Sequence, residues 1–129
     1  MKRFWMSLGF VGLLASSASA QLVYNPTTVE FDAVLTEHND GTVSRYEIRF
    51  FLDGQTSPVA TADIGKPVPV SGTLVRVVNP ALFSPLLPIV QYTAKVVAIG
   101  PTSLEGVSDP SNPFRRVLTP TAPSNPVLK

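Results

Sequence analysis

The chain has 129 residues, no cysteine, thirteen prolines and a formal net charge of +1. Near-neutral charge excludes an electrostatic nucleic-acid binder, which needs a concentrated basic face. The missing cysteines exclude a disulfide scaffold, a thiolate-bound zinc and a cysteine-linked lipid anchor.

Residues 1–20 read as a secretory signal peptide. Lys2 and Arg3 form a basic start and residues 4–15 a short apolar core. Ser16-Ser17-Ala18-Ser19-Ala20 ends in the small-x-small pattern that signal peptidase accepts. The apolar run is too short to span a bilayer, which takes about 20 residues. Cleavage after Ala20 removes two cations and leaves the remainder at −1. The expected product is secreted, extracellular or periplasmic, with no membrane span of its own. Residues 21–119 are one domain's length, and residues 120–129 are a proline-rich extended or disordered tail.

All thirteen prolines fall after residue 20, spread between apolar runs. Proline breaks helix interiors and central sheet ladders, so this spacing predicts short strands joined by turns. Residues 29–35 alternate apolar and acidic and predict a first strand. Residues 36–42, with His38, Asp40 and Gly41, carry turn chemistry. Residues 45–51 put Tyr46, Ile48 and Phe50 on one face, and a hairpin with the preceding strand is expected. Residues 58–64 predict a weak edge strand and residues 72–78 a better one. The connection at 79–85 is apolar for a loop, with Leu82 and Phe83 in it. Residues 91–98 alternate strictly through Tyr92, Ala94, Val96 and Ala98, a half-buried strand. Residues 100–106 read as a loop and 113–118 as the last strand.

Leu86-x-Pro88-x-x-x-Tyr92 resembles the tyrosine corner of β-sandwiches, where the hydroxyl ties back to the preceding loop's backbone. Phe31 stands where fibronectin type III domains usually place a core tryptophan, and Tyr46-x-Ile48-x-Phe50 is similar to their third-strand pattern. Gly106-x-Ser108-x-Pro110-Ser111 is similar to the run before their last strand. Over residues 25–119 the chain therefore resembles a fibronectin type III domain. The resemblance implies an all-β, immunoglobulin-like Greek-key β-sandwich of about seven strands. Phe31, Tyr46, Leu86, Pro88 and Tyr92 would be its structural residues. It also implies an adhesion, recognition or spacing role, although fold alone does not carry function.

No catalytic constellation is visible. His38, the sole histidine, sits among polar residues and reads as a solvated loop residue, where a triad base needs fixed partners. One histidine and no cysteine do not make a zinc site. Glu30 and Asp32 share one strand face at period two and read as solvated surface, since paired catalytic carboxylates face each other across a substrate. Leu82 and Phe83 either cap an open end of the sandwich or form an exposed contact patch. The expectation is a non-catalytic binding or adhesion module without cofactor, monomeric or weakly self-associating, recognising a protein or polysaccharide. Its contacts would come from the loops at 37–42 (His38, Asp40), 53–57 and 100–106, or from Leu82 and Phe83. The alternative is a structural or spacer subunit of an extracellular assembly, joined through strand edges such as 58–64.

Overall fold

The computed structural model describes residues 21–129, so the expected signal peptide lies outside the described residues. Eight strands follow in chain order: β1 (Val23–Tyr24), β2 (Thr28–Asp32), β3 (Arg45–Leu52), β4 (Ala60–Gly65), β5 (Leu74–Val78), β6 (Gln91–Ile99), β7 (Glu105–Val107) and β8 (Phe114–Arg115). A short helix, α1 (Leu35–Asp40), and a 3₁₀ turn (Pro80–Phe83) interrupt them. The larger sheet runs β1-β8-β6-β3-β4, with β7 also on β6, and the smaller sheet is β2-β5. The architecture is all-β in two layers.

Alternation builds the core. From the large sheet, Tyr46, Ile48, Phe50, Tyr92 and Ala94 point inward and are buried; from the small sheet, Val29, Phe31, Val75 and Val77 meet them. Phe31 packs on Tyr46 with ring centroids 4.9 Å apart. The Tyr92 hydroxyl accepts the Leu87 N–H at 3.0 Å, which is the backbone tie expected of this tyrosine. Pro88 is half-buried beside it and Leu86 is in the core. Ser108 and Ser111 have a backbone-like task. Their hydroxyls accept the Val96 and Ala94 N–H groups, each at 2.9 Å, and so continue the ladder between β7 and β8.

Several expectations are corrected. The strands at 29–35 and 45–51 do not form a hairpin: β2 pairs β5, while β3 pairs β4 and β6. The reason is α1, which carries the chain from one layer to the other. Residues 36–40 are thus helical, capped by Gly41 in the left-handed region (φ 89°) where glycine is at ease. His38 is not solvated; it is buried at 7% exposure. Leu82 and Phe83 are not an exposed patch. Asn79 accepts the Ala81 N–H, Pro80 opens the turn, and the resulting 3₁₀ geometry drives both side chains into the core. The predicted last strand is shorter, Phe114–Arg115, and a further strand, β7, begins inside the predicted loop at 100–106. Residues 119–129 are exposed and form no regular element.

Candidate functional site

The β3–β6 register decides which loops can act together. Arg45 lies opposite Ile99 and Leu52 opposite Tyr92. The α1–β3 loop and the β6–β7 loop therefore share one end of the molecule, and residues 53–57 lie at the other. Asp53 is anchored at that far end by the Gln91 side chain at 2.6 Å.

At the first end the two loops enclose a cleft of about 510 Å3 whose rim includes Asp40, Thr42, Pro101, Thr102 and Leu104. Their approach depends on Gly100. A Cβ there would stand 2.9 Å from the Thr42 carbonyl oxygen, closer than side-chain carbons come to backbone. The β6–β7 loop is tied internally by Gly100 N–H to Leu104 O at 2.9 Å and Ser103 N–H to Gly100 O at 3.0 Å. The α1–β3 loop is tied by Val43 N–H to Glu37 O at 3.1 Å, and Ser44 N–H to Ile99 O at 2.8 Å joins the two. The Lys66 ammonium donates to Val43 O at 2.8 Å.

Asp40 is fully exposed, yet its carboxylate is organised. Oδ1 accepts the Thr42 N–H at 2.9 Å and the Thr42 hydroxyl at 2.6 Å. These bonds hold its pKa below the ordinary aspartate value, hydroxyl first and then the amide. The rim thus presents a fixed negative charge beside an apolar side chain, Leu104, that is 76% exposed. Below it, His38 Nδ1 and the Tyr46 hydroxyl are 2.8 Å apart, with the rings stacked. His38 supports the loop from inside and is not among the residues that line the cleft.

Of the predicted contact residues, the structure brings Asp40 to the cleft. It places His38 beneath it, and Leu82 and Phe83 in the core toward the opposite end. Leu104 and Gly100 were visible only as parts of a loop. The available signals were a lone leucine among polar turn residues and a glycine before proline. Among the described residues no three histidine, aspartate or glutamate side chains are grouped to hold a metal ion. No helix among them is long and apolar enough to cross a membrane. Compared with protein-family models, curated proteins and solved structures, the chain matches none.

Proposed function

We propose that this chain is an exported, non-catalytic binding module of fibronectin type III kind, and that it holds a protein or polysaccharide partner at the cleft between the α1–β3 and β6–β7 loops. One observation carries the reading: two loops far apart in sequence meet backbone to backbone at Gly100 and present Asp40, Thr42 and Leu104 on a common rim. Loops on a rigid sheet scaffold are where such architectures recognise partners. A mixed lining, with the carboxylates of Glu37, Asp40 and Glu105 beside apolar area, suits hydrogen-bonding hydroxyl or amide groups that also have an apolar face.

The test is capture of surface and secreted fractions, polysaccharide included, by the tagged protein and by an Asp40→Ala/Leu104→Asp variant. Both residues are exposed, and the urea midpoint of the variant checks that it keeps its fold. A partner held by the parent and lost by the variant supports the cleft. Equal capture by both moves the site elsewhere, and a protein that recovers only itself supports the spacer reading.

A further inference from the structure

The small sheet has two strands, and the outer edge of β2 is open. Among the described residues β2 pairs with β5 alone. The Asn79 N–H donates to Thr27 O and the Ala33 N–H to Thr73 O, so the odd-numbered residues face β5. In an antiparallel ladder the alternate residues, Thr28, Glu30 and Asp32, then turn their N–H and C=O groups outward from the sheet edge. Their side chains lie exposed on the solvent face, while Val29 and Phe31 reach inward.

Beside that edge lies a groove of about 370 Å3, between β2 and residues 108–114. Its floor is apolar: Ile48, Phe83, Ala94 and Val96. On the far wall, Ser108 and Ser111 already occupy the Val96 and Ala94 amides through their hydroxyls, and their own N–H groups bond Val96 O and Ala94 O, so these groups are engaged with β6. An extended guest in the groove would therefore hydrogen-bond to β2 and widen the small sheet. The charged residues lining the groove are Glu30 and Asp109, both acidic, and Asp32 continues the series along the edge. A second copy pairing antiparallel about Glu30 would set two acidic residues against each other, each balanced by its own Arg76 at 2.5 Å, and would gain no new opposite-charge pair.

We infer that the outer edge of β2 is a strand-addition site for an extended segment of another polypeptide, one alternating aliphatic residues with lysine or arginine. Its aliphatic side chains enter the groove beside Val29 and Phe31. Its cations lie on the solvent face against Glu30 Oε1 and Asp32 Oδ2, the other carboxylate oxygens being held by Arg76 at 2.5 Å and by the Thr73 hydroxyl at 2.8 Å. Main-chain bonds to Thr28, Glu30 and Asp32 supply the ladder. This site is separate from the loop cleft and stands or falls without it.

The experiment is amide NMR of protein produced from the full chain, titrated with acetyl-Lys-Val-Lys-Val-Lys-Val-Lys-amide, with its Glu-Val counterpart as control. The inference expects saturable shifts and slowed hydrogen exchange at Thr28, Glu30 and Asp32. Binding should be at least about fivefold weaker for the Glu-Val peptide and for Glu30→Gln, an exposed substitution whose spectrum checks the fold. Three results overturn it. Shifts confined to residues 40–42 and 100–104 would place the peptide in the loop cleft. Slow exchange at Thr28, Glu30 and Asp32 before any peptide, independent of protein concentration, would mean that another segment of the chain already covers the edge. Slow exchange that tracks a dimer in sedimentation would make the occupant a second copy.

Discussion

Gly100 shows how much one hydrogen atom can decide. Replacing it with alanine puts a methyl group 2.9 Å from a backbone oxygen that has no rotamer to escape into, so one loop must move. Overpacking of this kind costs about 1–3 kcal/mol, and Gly100→Ala is expected to lose that much in urea unfolding and to widen the cleft. Gly106→Ala is the control: open space surrounds its Cβ position, and the change should stay within about 0.5 kcal/mol. His38 makes a second case. Among the described residues its ring nitrogen is the only side-chain partner of the buried Tyr46 hydroxyl. His38→Ala leaves that hydroxyl unpaired, for a loss of about 1–3 kcal/mol; restoring much of it by adding Tyr46→Phe would show that the penalty lies in the stranded hydroxyl. The inward side of His38 was not legible in the sequence. Its neighbours Glu37, Asn39 and Asp40 are all polar, and six helical residues are too few to display a period.

At the scale of elements, the strands that could be read were those whose alternation is long: β3 and β6, whose inward residues form the core. β7 and β8 were obscure because they are three and two residues long and take their place from β6, with Ser108 and Ser111 bridging between. The apolar connection was legible as unusual, but its direction was not. Leu82 and Phe83 face inward because Asn79 and Pro80 start a 3₁₀ turn, a capping signal that hydrophobicity alone does not reveal. Phe83 then joins Phe50 and Phe114, with ring centroids 5.5 and 5.6 Å away. Aromatic pairs at such distances add to area burial, and Phe83→Ala is expected to cost about 3–5 kcal/mol. Leu87→Ala, at a nearby residue that is 64% exposed, should cost under about 0.5 kcal/mol. Chemical denaturation of the two variants separates a core residue from a surface one. If Phe83→Ala unfolded like the parent, the buried placement would be wrong and the exposed-patch reading would return. Arg116 belongs to the same corner: its guanidinium donates to Ser84 O and Leu86 O, holding the connection against the end of β8.

Across the whole molecule, a row of charges on the outer face of the large sheet ties its strands sideways. Asp63 on β4 meets Arg45 on β3; Arg45 and Arg49 both meet Glu47; Arg49 reaches across β6 to Glu105 on β7 with bonds of 3.0 and 2.5 Å. The row passes over Val97, which has no exposed surface although it points away from the main core. Long side chains that pair with one another can cover apolar area in this way. The consequence is a defined response to acid. The Arg49 hydrogen bonds hold the Glu105 pKa below its ordinary 4.5, and the Thr42 bonds hold Asp40 below 3.8. A depressed folded pKa stabilises above the unfolded value and loses that contribution as pH falls through the folded one. At the other extreme, burial raises the Tyr46 pKa above 10.0, with the charge of Glu37 adding to it, and its contribution disappears as pH rises past that value. These groups therefore leave stability unchanged between pH 4.5 and 10.0 and erode it on both sides. Arg49→Leu should raise the Glu105 pKa toward its ordinary value, shrink the acid limb to what Asp40 contributes, and speed hydrogen exchange at the β7 amide that bonds back to β6. Urea midpoints measured across pH for parent and variant read the first effect, and exchange at residues 105–107 reads the second. An acid limb unchanged in the variant would mean that β7 is held by its backbone ladder alone and that the charge row contributes only cover for Val97.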